Sequence, residues 1–215
     1  MSDESTRATD RETLMLAVLP DVAFDGWTRH ALLAAARKLG IAPAQAAALF
    51  PGGPTDIVAE FSRWADRQML TRLGHLDLHG LHTPEKIATA AMTRFEALAL
   101  YREAVRRGLR VLAQPVGAPI AARLLYETVD TMWGAVGDEA TDFSFYTKRT
   151  ILGGIYAMAT LYWLEDRSAN FIETRGFIER RLAEVGALPR WRAGIASRLD
   201  LLPNPFRFAR TLRGR

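Results

Sequence analysis

The stretch that decides the fold is Met132–Val185, MWGAVGDEATDFSFYTKRTILGGIYAMATLYWLEDRSANFIETRGFIERRLAEV. Its apolar residues fall at helical spacing, and its interruptions are helix punctuation. Gly137 stops one helix, as glycine does in the left-handed conformation. Thr141 or Asp142 supplies an N-cap for an apolar helix running to Leu164. Ser168 caps a further helix whose inner face is Phe171, Ile178, Leu182 and Val185. The apolar helix Ile151–Leu164 is too short to cross a bilayer. Being apolar on every side, it reads as buried. Its Gly153-Gly154 pair costs helix stability, on the order of 1 kcal/mol per glycine relative to alanine. Close approach of another backbone repays that cost, either in a homodimer seam or in packing within one chain.

The same periodicity extends outward in both directions, with no alternating run long enough for a strand. Toward the N-terminus, a helix from Leu125 through Met132 to Val136 follows a break at Pro115, Gly117 and Pro119, with another break near Gly108. Before that, Thr83 caps a helix with Pro84 in its first turn and Ile87, Ala91, Phe95 and Leu98 on its inner face. A helix from Thr55 carries Val58, Phe61, Ala65 and Met69. Pro43 opens a short one, Thr28–Leu39 is another with Gly40 as its stop, and Glu12–Leu19 is the first, ended by Pro20. The chain reads as all-α with nine or ten helices. It divides into a disordered start (1–11), a helix-turn-helix-like part (12–72), a helical body (83–187) and a C-terminal tail (188–215).

Composition narrows the chemistry. The 215 residues contain no cysteine, which excludes disulfides and thiolate chemistry. The net charge of +4 is unevenly placed. Arg190–Arg215 holds seven arginines and one aspartate, +6, so the rest sums to −2. In the tail, Trp191, Ile195, Leu199 and Leu202 continue an apolar stripe flanked by Arg192 and Arg198. A basic amphipathic helix with tryptophan is the pattern of an interfacial membrane anchor; the same stripe also suits a helix docked on its own body. The acidic start MSDESTRATDRE is unlike a transit or signal peptide, and 25 arginines against 3 lysines point to a GC-rich, bacterial genome, so the expected location is the bacterial cytoplasm, with the tail holding the protein peripherally on the inner membrane. His75 and His79 have metal-ligand spacing, but Gly74, Gly80 and Thr83 make that segment a loop with no third ligand, so no metal is expected.

The segment Gly137–Arg149 carries a family resemblance. Gly137, Asp138, Thr141, Asp142, Phe143, Tyr146, Thr147, Lys148 and Arg149 match a pattern much like GDxSTDFNWYTKR, which an apolar helix, an acidic turn and an amphipathic helix follow. By these residues the chain resembles the lipid-binding accessory proteins of ubiquinone biosynthesis, a family with a TetR-like fold. The resemblance implies a non-catalytic protein without cofactor that binds a quinone intermediate or other isoprenoid lipid, or a phospholipid. It also implies presentation of that lipid to the di-iron demethoxyubiquinone hydroxylase. Phe61, Trp64, Phe95, Leu98, Trp133, Phe143 and Tyr156 are then the expected lipid-binding residues. Met132, Phe145, Tyr146 and Arg149 are expected at the partner face, with Phe145 standing where the family has Trp. The terminal helix of the family matches the tail in character.

TetR repressors share the plan of short helices before a helical body, so a ligand-sensing transcription factor is the alternative. Its recognition helix would be APAQAAALF, which has no cation to grip a phosphate, and no nucleic-acid partner is expected.

Overall fold

The structure, a computed structural model, describes the backbone of residues 2–137 and 143–199 and the side chains of residues 7–137 and 148–185. The described residues form nine α-helices and no strand: α1 (Ser2–Asp25), α2 (Arg29–Lys38), α3 (Pro43–Leu49), α4 (Pro54–Leu73), α5 (Thr83–Ala97), α6 (Arg102–Leu112), α7 (Ala118–Ala135), α8 (Phe143–Glu165) and α9 (Ile172–Leu199). Short 3-10 turns precede α6 and α9.

Local chemistry sets many of the boundaries. The Thr28 hydroxyl accepts from the Ala31 N–H to start α2, and Gly40 follows its end at φ +70°. At α5 the cap lies one residue earlier than the sequence suggests. His82 holds that position, its N–H donating to the Glu85 carboxylate at 2.7 Å, while Thr83 is the first helical residue. Residues 74–82 form the expected loop, with the His79 N–H on Asp77. No cluster of three potential metal ligands exists among the described residues.

Packing overrides local preference at the N-terminus. Helix α1 starts at Ser2 and runs through Pro20, so neither the disordered start nor the stop at Pro20 is observed. Leu14, Met15, Val18 and Leu19 before the proline and Val22 after it are all buried. Both halves therefore gain from staying on one core, which outweighs the lost hydrogen bond. Arg11 ties the early turns down: it donates to the Leu49 carbonyl and Glu60, and lies over the Phe50 ring. Arg67 bridges Glu12 and Glu60.

Gly108 is likewise inside a helix, α6, rather than at a break. A Cβ there would lie 3.3 Å from a Val58 methyl and 3.4 Å from the Trp27 indole nitrogen, so the glycine permits close packing of α6 on α4. Trp27 completes that contact by donating to the Ala104 carbonyl at 2.8 Å.

The body is α4, α5, α7 and α8, with α9 laid against α5 and α8. Helix α8 is not buried on every side. Leu152, Ile155, Tyr156, Ala159 and Trp163 face the core, while Gly154, Met158, Leu161 and Tyr162 are exposed. Gly153 packs at ordinary distance on Leu125. Helix α9 is continuous across the boundary expected at residue 188, and no helix among the described residues is long and apolar enough to cross a membrane.

Between α8 and α9, Asp166 organises a corner. Its carboxylate accepts from the N–H and hydroxyl of Ser168 (2.7 and 2.6 Å) and from the N–H and hydroxyl of Thr174 (2.9 and 2.5 Å). Burial opposes its charge, but these four donors outweigh it and hold its pKa at about 2. Ser168, the expected cap, accepts from the Glu173 N–H at 3.2 Å and so acts beside Asp166.

Candidate functional site

Helices α4, α5, α6, α7 and α8 line a half-open cavity of about 400 Å³, within the range of small-molecule sites. Its wall is largely apolar: Val58, Phe61 and Ala65 from α4, Phe95 and Leu98 at the end of α5, Leu109 and Leu112 from α6, Ala121, Leu124 and Leu125 from α7, and Leu161 and Trp163 from α8. The cavity crosses the division expected between an N-terminal part and a body, because α4 supplies one wall. Gly108 lines it as well, where the backbone of α6 comes close to α4.

Of the residues expected to bind lipid, Phe61, Phe95, Leu98 and Tyr156 line this cavity. Trp64 does not. It stacks on Phe61 at 5.9 Å and meets the edge of Tyr101, behind the wall residue Phe61 and not itself in the lining. Trp133 is buried near the C-terminal end of α7, with the Lys148 ammonium 5.4 Å from its ring. The Phe143 side chain lies outside the described residues.

One corner of the cavity is polar. Four helices meet there through Ser62 and Asp66 (α4), Arg94 (α5), Thr128 (α7) and Tyr156 (α8). Arg94 is 6% exposed. Its Nε donates to Asp66 at 2.6 Å, Nη1 to the Tyr156 hydroxyl at 2.8 Å, and Nη2 to the Ser62 carbonyl and hydroxyl at 3.1 and 3.0 Å. Thr128 donates to the Asp66 carboxylate at 3.1 Å. Burial works against the guanidinium charge, yet Asp66 and Tyr156 outweigh it and raise the Arg94 pKa. Burial pushes the Tyr156 phenol up, so it keeps its proton at neutral pH. Tyr156, Phe95 and Trp163 form a stacked aromatic run, 5.2 and 5.1 Å between centroids. Apolar spacing does not single out this corner, although Arg94 shares the Ile87, Ala91 and Leu98 face, which is the signal that a buried cation occupies it.

The expected partner-facing residues are placed differently. Met132 is fully buried, and Arg149 is 5% exposed with its Nε on Asp130 at 2.6 Å. These two side chains shape the α7–α8 junction from within and do not form its outer surface. The side chains of Phe145 and Tyr146 lie outside the described residues. Of the expected membrane-binding set, Trp191, Arg192, Ile195, Arg198 and Leu199 lie on the α9 backbone with side chains outside the described residues, and Leu202 is outside them altogether.

Residues 118–189, covering α7, α8 and most of α9, match the COQ9 family model. The "Ubiquinone biosynthesis protein COQ9, mitochondrial" of Rattus norvegicus is 32% identical over 181 residues, covering 80% of this chain and 57% of the rat protein. The chain is a relative of the COQ9 proteins. The Homo sapiens COQ9 is again 32% identical over 181 residues, covering 80% of this chain and 56% of the human one. That of Drosophila melanogaster is 30% identical over 179 residues, 81% and 55%. The chain thus spans little more than half the length of these COQ9 relatives. Among solved structures, the TetR transcriptional regulator from Nitrosomonas europaea superposes with a TM-score of 0.65 at 20% identity, covering 82% of this chain and 97% of the regulator. The fold is TetR-like, as the sequence reading expected.

Proposed function

We propose that this chain serves ubiquinone biosynthesis as a non-catalytic lipid-binding protein, taking up a quinone intermediate or another apolar-tailed lipid and presenting it to the di-iron demethoxyubiquinone hydroxylase. The observation that carries the reading is the apolar cavity between α4 and α8, in a chain related to ubiquinone biosynthesis proteins. Its lining offers a long hydrocarbon many carbon contacts and few polar groups to desolvate. The basic stripe with Trp191, Arg192, Ile195, Arg198, Leu199 and Leu202 would hold the protein peripherally on an anionic membrane surface. The exposed α8 stripe of Gly154, Met158, Leu161 and Tyr162 is the surface a second copy would cover in a homodimer.

The TetR-like fold also suits a ligand-sensing regulator, but the surface of α3 favours the lipid reading. Its exposed residues, Pro43, Ala44, Gln45 and Ala48, include no cation with which to meet a phosphate.

The test is mass spectrometry of small molecules extracted from the gently purified protein, beside the variant Ala122→Trp. Ala122 is exposed and lines the cavity, so the indole should plug it without disturbing the core. Wild type should yield an isoprenoid quinone or phospholipid and the variant little. An empty wild type that also fails to take up added ubiquinone would refute the function.

A further inference from the structure

Hydrogen-bond accounting at the polar corner leaves donors over. A guanidinium carries five N–H bonds. Four from Arg94 are engaged by Asp66, Tyr156 and the two oxygens of Ser62. Among the described residues, nothing accepts the remaining Nη1 proton. The Tyr156 hydroxyl accepts from Arg94 and also interacts with the side chain of Thr160, a further residue of the cavity wall. The indole N–H of Trp163, another residue of the cavity wall, is buried with no partner. Asp66, the carboxylate of the corner, is occupied by Arg94 and Thr128. The wall is therefore rich in donors and poor in acceptors.

Such groups are costly to bury unmatched. The ion pair beside them is no sufficient stability device either, since a buried pair is often no better than apolar packing of the same volume. The charge balance adds a constraint. Asp66 already neutralises Arg94, so the corner offers hydrogen bonds without spare positive charge. An acceptor with no charge of its own fits, whereas a carboxylate or phosphate would bring an uncompensated charge into an apolar cavity.

We propose that the Arg94–Tyr156 corner is a head-group subsite, taking the carbonyl or ether oxygen of an uncharged head on an otherwise apolar molecule. The ligand then lies with its oxygen at the corner and its hydrocarbon along α6, α7 and Leu161. This deepens the lipid-binding reading and rests on it: it selects a quinone over a fatty acid or a phospholipid.

The experiment compares calorimetric binding of decylubiquinone, decylbenzene and decanoate to the full chain and to Tyr156→Phe. The substitution removes the hydroxyl and keeps the ring that stacks on Phe95. Wild type should bind decylubiquinone more tightly than decanoate. The variant should lose about three- to tenfold affinity for decylubiquinone, one hydrogen bond's worth, and none for decylbenzene. Equal quinone affinity in the two proteins, or a preference for decanoate, would overturn the subsite while leaving a lipid cavity. Failure of every probe to bind wild type would overturn the lipid-binding reading and the subsite with it. A second measurement needs no variant: the carbonyl stretch of bound quinone should move to lower wavenumber in the infrared, and an unshifted band would overturn the assignment.

Discussion

Replacing Asp166 by asparagine tests the reasoning about the α8–α9 corner. The carboxylate is 3% exposed and accepts four hydrogen bonds, two from Ser168 and two from Thr174. Its pKa falls from the ordinary 3.8 to about 2. That gap corresponds to about 2 kcal/mol of stability at pH 7. Asparagine removes the charge and turns one acceptor oxygen into an NH₂ donor. This new donor meets the N–H and hydroxyl of Ser168 or Thr174, and Thr174 is completely buried. A donor left unmatched there adds about 1–3 kcal/mol. The expected loss is therefore about 3–5 kcal/mol, read as a lower urea midpoint followed by circular dichroism at pH 7.

The pH dependence has a definite sign. The folded pKa lies below the unfolded one, so the folded state binds fewer protons over that interval. The Asp166 contribution is complete above the unfolded value near 4 and is lost as pH falls toward about 2. The stability gap between wild type and Asp166→Asn should be constant from pH 5 to 8 and shrink below pH 4. A variant within about 0.5 kcal/mol of wild type at pH 7 would refute the account, because ordinary surface substitutions cost no more than that. So would a gap that widens as the solution is acidified.

Two further outcomes follow from the same structure. Asp66→Ala strands the Arg94 guanidinium in the cavity wall and should cost about 3–5 kcal/mol in urea unfolding; a loss under 1 kcal/mol would mean that Arg94 finds water there. Charge reversal of Arg192 and Arg198 to glutamate should abolish cosedimentation with anionic liposomes while leaving helix content unchanged, since each arginine contributes about 1 kcal/mol near such a surface; undiminished cosedimentation would exclude the tail as the anchor.

The sequence reading succeeds where the determinant is local. Thr28, Gly40, the Gly117–Pro119 break and Gly137 act through one or two hydrogen bonds or a backbone angle within a few residues, so their spacing carries the information. It fails where a distant surface decides. Pro20 would end an isolated helix, but Val22 beyond it has a core to join. Gly108 looks like a break until Val58 and Trp27 close on it from α4 and from the α1–α2 junction. Helix α8 is apolar all round, yet one chain covers one side of it, which is a property of the other helices and leaves no trace in α8's own composition.

The site divides along the same line. Apolar wall residues such as Phe61, Phe95 and Tyr156 are legible as candidates, but Trp64 and Trp133 have the same character and sit elsewhere, because residue type does not say which side of a helix contact holds the void. The polar corner was the harder part for a different reason. Arg94 and Asp66 lie 28 residues apart on separate helices, and each alone looks like an ordinary charge near the edge of an amphipathic face. Phase is the signal that could have found the first: Ile87, Ala91, Arg94 and Leu98 step by four, three and four, so Arg94 stands where a core residue belongs. A cation in that phase requires a buried carboxylate, because an unpaired charge inside an apolar bundle is too costly to keep. Asp66 meets that requirement from the same side of α4 as Ser62 and Met69, three or four residues away. Tyr156 is then the aromatic whose hydroxyl the same cation reaches. Two misplaced-looking charges on helices already known to pack together thus locate the polar end of the cavity better than the whole inventory of aromatic side chains.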